Sequence, residues 1–354
     1  MDIEVVRYKD VCPTAYRSFI EECPAATLFH SPDWLQIYEL SSSQTKQFLI
    51  CARESDSIIA AMPVTQFQRL GLRAVFSSGF SAYGGPIARP ETDLSVRDRI
   101  LDAFTSRFLD ARTVLARVHD LGNASGRLRY YRFRYTPSTT HLLQLPRTVG
   151  DLDRLWGKPS RYRYAVRRIA KAGIRVEASR SRPDLEAWHK ILGEYYAAQG
   201  LRACPRELCL TISRCLSEGS TLRFFAAKKD DSVVGGLVCV FALRRAFAWM
   251  GAFLPEYRGF GVFDALFDAA VREAIEEACD YFDMGPSPSD REGIARFKQQ
   301  WGGVPTALSV YSYSNTIGRI GIALARYRSL SRLCSAVLGI GRSRRTSTQQ
   351  DHDP

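Results

Sequence analysis

The chain has 354 residues, with 49 lysines and arginines against 37 acids, giving a formal charge of +12 and a pI near 9.4. That length suits two domains of similar size, and 45% hydrophobic with 11% aromatic residues excludes disordered and fibrous classes. No apolar run approaches the roughly 20 residues of a membrane span. The start MDIEVVRYKD lacks the apolar stretch of a secretory signal.

In chain order, residues 49–64 (LICARESDSIIAAMPV) read as a β-hairpin around an acidic turn. The pattern recurs at 224–239 (FFAAKKDDSVVGGLVC), with Asp56–Ala61 matching Asp231–Gly236. A repeat at half the chain length points to duplication of one α/β unit. AVFSSGF and YGGPIA are strand-like, a helix is expected over 94–109, and TVLARV, RYYRFRY and HLLQL read as strands. Pro146–Asp153 forms the boundary. The second half opens with a basic helix at 160–172, stopped by Gly173. Strand IRVEA and a helix over 184–199 follow, then strands LRFFAAK, SVVGGLVCVFA and RAFAWMGAF. A helix over 261–278 aligns Phe263, Phe267, Ala270 and Ala274 on one face. Strand YFDMG, a helix over 290–300 entered through a Ser289–Glu292 capping box, and strand TALSVYSY complete the unit. Each half is α+β, a mostly antiparallel sheet flanked by helices. The expected organisation is a first domain at 1–150, a second at 151–314, a basic amphipathic helix at 315–341 and a disordered tail at 342–354. In that helix Ile317, Ile320, Leu324 and Tyr327 recur beside Arg319, Arg326, Arg328 and Arg332. It lies either on the protein or on an anionic membrane surface.

The nine cysteines are scattered and form no CxxC, and the five histidines form no HxxxH. No metal site or tightly bound cofactor is therefore expected, and free thiols fit a reducing, cytoplasmic setting. The positive charge is concentrated. Residues 154–176 and 293–350 hold seventeen cations and no acid, and only eight of all the cations are lysines. Arginine suits bidentate contact with phosphate; such runs also occur as solvated helix faces. No helix-turn-helix, zinc-finger or RNP1 pattern supports a nucleic-acid-binding module.

Two stretches carry candidate chemistry. In PEYRGFGVFDALFDAA (255–270), Arg258, Gly259 and Gly261 stand between a strand and a helix without a side-chain cap. Such a turn presents backbone N–H groups to phosphate, and it also occurs without a ligand. The three residues match the R-x-x-G of the acyl-CoA pyrophosphate loop in GNAT acetyltransferases, although Phe263 stands where that motif has Gly or Ala. In YFDMGPSPSDREGIARFKQQWGG (281–303), Phe282, Asp283, Gly285, Phe297, Lys298 and Gly302 resemble the F-D-x-G strand end and F-K helix of the FemAB aminoacyltransferases. FHSPDW (29–34), SSGFSAYGGPI (77–87) and RYRYAVRRIAKAGI (161–174) resemble other family features, in the family's order. The resemblance spans about residues 25–315.

The resemblance implies two tandem GNAT-like domains that transfer an acyl or aminoacyl group to an amine. The implied acceptor is a phosphorylated or lipid-linked cell-envelope or surface-polysaccharide precursor, met at the inner face of the membrane. The implied co-substrate is acyl-CoA or aminoacyl-tRNA. Such an aminolysis needs alignment, a neutral amine and oxyanion stabilisation, and no Ser or Cys nucleophile. Lys298 is the candidate electrostatic group, with Phe297 beside the donor. Asp283 either accepts the amine proton or orients its turn. Arg161, Arg163, Arg167 and Arg168 would grip a diphosphate, and Tyr83 would line the acceptor cleft. The family's first-domain carboxylate has no match at Ala88, which leaves the general base unassigned. The competing classes are a non-enzymatic envelope assembly factor and a nucleic-acid-binding protein on a degenerate GNAT fold.

Overall fold

The structure is a computed structural model describing residues 1–79, 83–121, 126–156, 161–198, 203–217, 222–287 and 292–326. Strand β1 (Asp2–Arg7) precedes helices α1 (Pro13–Glu21) and α2 (Pro32–Ser41), then strands β2 (Thr45–Glu54), β3 (Ser57–Arg69), β4 (Leu72–Phe76) and β5 (Ile87–Ala88). Helix α3 (Ser95–Phe108) leads to β6 (Thr113–Leu121), the single turn α4 (Arg127–Tyr130) and β7 (Arg134–Gln144). Helices α5 (Val149–Leu155) and α6 (Arg161–Lys171) precede β8 (Ile174–Ala178), α7 (Arg182–Ala198) and α8 (Arg206–Ser217). Strands β9 (Leu222–Lys229), β10 (Ser232–Ala242) and β11 (Arg245–Phe253) follow. The described chain closes with α9 (Val262–Glu276), β12 (Tyr281–Ser287), α10 (Glu292–Gln300), β13 (Val304–Ser314) and α11 (Thr316–Arg326).

All these strands join one sheet, ordered β1-β2-β3-β4-β6-β13-β7-β12-β11-β10-β9-β8, with β5 on β3. The order has the same logic from either edge. An edge strand meets a hairpin, β2–β3 or β9–β10. Next comes a parallel pair closed by a helical crossover: β4 to β6 through α3, and β11 to β12 through α9. At the centre the last strand of each half is exchanged, so that β13 pairs with β6, β7 with β12, and the two with each other. The repeated hairpins at 49–64 and 224–239 therefore occupy equivalent places in two units of like topology. Asp230 and Asp231 both take positive φ, the backbone of a tight two-residue hairpin turn.

Alternate strand residues serve opposite faces of the sheet. On one face Phe48, Ile50, Met62 and Ala116 pack with α3, while Leu237, Cys239 and Phe282 pack with α9. On the other, Leu49, Cys51 and Ala61 meet α1 and α2, and Phe224, Val238 and Val240 meet α7 and α8. This last cluster crosses between the halves, because Trp34, Ile37 and Tyr38 of α2 join Trp188, Leu192 and Ile212 in it. The Trp34 ring stands edge-on to Phe29, Tyr38 and Trp249 at 5.2, 5.6 and 5.2 Å.

The expected strand RYYRFRY does not form as such. Residues 127–130 make α4, and the strand starts only at Arg134. Arg127 makes a two-pronged bond to Asp102 of α3 at 2.7 and 2.6 Å, Tyr131 Oη donates to the same carboxylate at 2.7 Å, and Leu128 is buried. Contacts to α3 override the local β preference of the aromatics. The basic helix and its stop appear as read, with Gly173 at φ +71° after α6. The helix expected over 315–341 is described as far as Arg326. Its remainder, the tail 342–354 and the Ser289 cap lie outside the described residues. Among the described residues no helix is long and apolar enough to cross a membrane.

Candidate active site

Strands β11 and β12 are partnered only over 245–247 and 281–283. Beyond Asp283 strand β12 kinks: its register against β7 slips between Asp283 and Pro286, and Gly285 takes φ +77°. A left-handed residue there reads as glycine for steric reasons. The kink leaves Gly285 outside the ladder with β7, while Pro286 pairs with Thr140, and buried Lys298 of α10 reaches the carbonyls of Gly285 and Pro286. Its Nζ donates to both, at 2.7 and 2.8 Å. Burial pushes the Lys298 ammonium down to about 8, against the opposing pull of Asp283.

Asp283 is buried in the same kink. Its Oδ1 accepts from the Gly285 N–H at 2.8 Å, from Thr140 Oγ1 at 2.8 Å and from Tyr83 Oη at 3.2 Å. The Tyr83 hydroxyl also lies 2.6 Å from Thr140 Oγ1. Burial raises the Asp283 carboxyl to about 6 despite these donors and nearby Lys298. Nearby, His141 Nδ1 sits 3.2 Å from Ser287 Oγ, and its Nε2 is buried with no hydrogen-bond partner among the described residues. Burial and, secondarily, the charge of Lys298 lower the His141 pKa, favouring the neutral ring.

Tyr83 comes from the first half, delivered by the loop between β4 and β5. Two glycines let that loop pass. A Cβ on Gly84 would lie 2.3 Å from the Ser77 carbonyl, and one on Gly85 would lie 2.5 Å from the Asp120 carboxylate. His30 braces the turn. Its Nδ1 accepts the Thr27 N–H at 3.1 Å, so Nε2 carries the proton and donates to Gly85 O at 3.0 Å. Burial lowers His30 to about 4, which keeps it neutral. Asp120 and Arg97 line the same small pocket as Tyr83 and His30, and Arg97 reaches both Asp120 oxygens at 3.3 Å. Burial raises Asp120 to about 6 even so.

The turn before α9 lies on the α9 side of the second half. Gly259 and Gly261 take φ +89° and +84°, and Gly261 is the N-cap of α9 without a side-chain cap. The first-turn N–H groups of α9 thus have no side-chain acceptor from the cap, as an anion cradle requires. Phe263, the departure from the pyrophosphate motif, turns inward. Its ring packs on Phe253, Phe267 and Phe297, and it fills the space a Cβ on Gly251 would need, at 2.6 Å. Arg168 of α6 donates from Nε to Phe260 O at 3.0 Å, which joins the basic helix to this turn. Arg258 and Arg167 are exposed. The side chains of Arg161 and Arg163 lie outside the described residues.

The structure therefore gathers the sequence candidates into two groups. Asp283, Lys298 and Tyr83 meet at the β12 kink, while Arg258, Gly259, Gly261 and Arg168 meet at the α9 turn. Phe297 packs among Phe263, Phe267 and Trp301, with centroids 6.0, 5.6 and 6.3 Å away. Thr140, His141 and Asp120 were not singled out from sequence. They sit in ordinary strand patterns. The exchange of central strands brings Thr140 and His141 of β7 to the kink, and the β4–β6 pairing sets Asp120 beside the Tyr83 loop.

Residues 158–299 match the family model described as Acetyltransferase (GNAT) domain. No curated protein matches the chain. Among solved structures, FemX superposes with a TM-score of 0.61 at 13% identity, covering 91% of this chain and 99% of that one. L-PGS from Bacillus licheniformis gives 0.53 at 14%, covering 93% and 99%. A tandem GNAT protein from the clavulanic acid biosynthesis pathway gives 0.53 at 11%, covering 88% and 98%. Residues 158–299 thus match a GNAT acetyltransferase domain, in a chain whose overall fold is like that of FemX.

Proposed function

We propose that the protein transfers an acyl or aminoacyl group to an amine on a phosphorylated or lipid-linked cell-envelope precursor, at the cytoplasmic face of the membrane. The observation that carries this reading is the β12 kink, where buried Asp283, tied to Tyr83 of the other half, lies beside the Lys298 clamp. Asp283 Oδ1 is occupied by three donors, and among the described residues Oδ2 has none. Oδ2 takes the proton of the incoming ammonium, and the neutral amine attacks the donor carbonyl. A C–N bond forms and a tetrahedral oxyanion develops, stabilised by the positive field of Lys298. The carbon–sulfur bond (or the ester bond of an aminoacyl donor) then breaks. The leaving group takes the proton lost by the amine nitrogen, giving amide and free thiol or hydroxyl.

For the donor, acyl-CoA is favoured by the uncapped α9 turn with Gly259 and Gly261, and by the inward Phe263 that leaves the turn open. The basic helix α6, tied to that turn by Arg168, equally suits the phosphates of an aminoacyl-tRNA. A titration with acetyl-CoA decides. Saturable binding lost in Gly261→Trp supports the thioester donor. Salt-steep tRNA binding without CoA affinity sinks it in favour of tRNA.

A further inference from the structure

A second charged surface lies at the other end of the first-half sheet from Tyr83. Strand β4 runs from Leu72 toward Phe76 and then into the Tyr83 loop, so the β3–β4 turn marks the far end. There Arg7, Lys46, Arg73, Arg107 and Arg112 line an open cleft that contains a single carboxylate, Asp110. Arg73 pairs with Asp110 and Arg7 with Glu39. The side chains of Lys46, Arg107 and Arg112 have no carboxylate partner among the described residues.

Apolar side chains rim the same end. Arg73 N donates to Arg112 O at 2.8 Å, and Asn315 Nδ2 to Ala111 O at 3.1 Å, which sets the β3–β4 turn and the start of α11 beside the cleft. Leu70 at the turn is 75% exposed, and Ile317, Ile320 and Ile322 of α11 are 52, 55 and 38% exposed. Helix α11 cannot roll to hide them. Gly318 is pressed so close to β6 that a Cβ would come 1.8 Å from Val114 O. Exposed Arg319 adds charge to the helix.

We propose that this end of the first half is a docking surface for an anionic lipid bilayer. The cleft takes lipid phosphates, while Leu70 and the α11 isoleucines enter the headgroup–acyl boundary. Basic residues alone would serve a nucleic acid equally well. Exposed aliphatic side chains beside them find no apolar partner on a phosphate backbone and gain free energy on leaving water for the acyl boundary of a bilayer. The surface is remote from the β12 kink and independent of which acceptor the transfer site takes.

The test is co-sedimentation of the full chain with two kinds of vesicle. One is phosphatidylcholine alone, and the other is equal parts phosphatidylcholine and phosphatidylglycerol. Binding is expected to the mixed vesicles only and to be lost at high salt. It should weaken roughly tenfold in Arg107→Glu/Arg112→Glu and comparably in Ile317→Ser/Ile320→Ser. Lys46→Glu and Leu70→Ser replace either pair that fails to melt like the parent protein. Three results overturn the proposal: no vesicle binding by the parent, equal binding to both vesicles, or binding by the variants at parent strength. Binding of tRNA that is lost in the arginine pair and kept in the isoleucine pair, without vesicle binding, assigns the surface to nucleic acid instead.

Discussion

At the β12 kink a carboxyl raised to about 6 faces an ammonium lowered to about 8. Both groups must be charged for Asp283 to accept a proton while Lys298 holds the positive field. We therefore expect kcat/KM to rise through about pH 6 and fall through about pH 8. A pH–rate profile checks this: Asp283→Asn should remove the acid limb and lower kcat by roughly 10²- to 10⁴-fold, and Lys298→Met should remove the alkaline limb. A flat parent profile would sink the assignment. The same shifts act on stability. Asp283 is raised above 3.8, so its contribution is full below that pH and is lost as pH rises through about 6. Lys298 is depressed below 10.5, so its contribution is full above that pH and is lost as pH falls through about 8. Lys298→Met also leaves two carbonyls without their donor, a loss of about 1–3 kcal/mol measurable by denaturant titration at neutral pH.

At the scale of the element, Phe263 and Gly251 act as one unit. The first turn of α9 is anchored by a ring seated where β11 lacks a side chain. Gly251→Ala should push that ring out and cost about 1–3 kcal/mol. It should also weaken donor binding more than Ala substitutions elsewhere on β11, because the α9 turn moves with Phe263. Melting temperature and CoA or tRNA affinity, measured on the same variant, separate the two effects. The short α4 gives a contrasting case. RYYRFRY carries aromatics that favour strand, yet Arg127 and Tyr131 bind Asp102 and hold the segment helical. Local preference is worth less there than a two-pronged charged bond to α3.

For the whole molecule, the exchanged central strands and the cluster around Trp34 make the two halves one cooperative body. Trp34→Ala should cost about 3–5 kcal/mol and lower the unfolding midpoint without splitting the transition. Two resolved unfolding steps in calorimetry would show instead that the halves are energetically separate. The exchange also explains the composite site. Tyr83 and Thr140 belong to the first half and Asp283 to the second, and the three meet because β7 lies beside β12.

The hairpin repeat, the Gly173 stop, the uncapped Gly261 turn and the F-D-x-G and F-K pairs were all legible in the chain, because each depends on residues a few positions apart. Local stereochemistry decides them: positive φ for glycine, period-two alternation for strands, a missing cap at a helix start. Thr140 and His141 were invisible, since nothing within THLLQL (140–145) distinguishes a site residue from an ordinary strand residue. Asp120 was equally hidden in TVLARVHD. By itself the sequence determined two α/β units of the GNAT kind and the residues at the ends of their second-half strands. Only the tertiary structure decided that the last strands trade places. Strand pairing is a non-local choice, set by which faces bury best together, and it moved the first-half Tyr83 and Thr140 onto the second-half carboxylate.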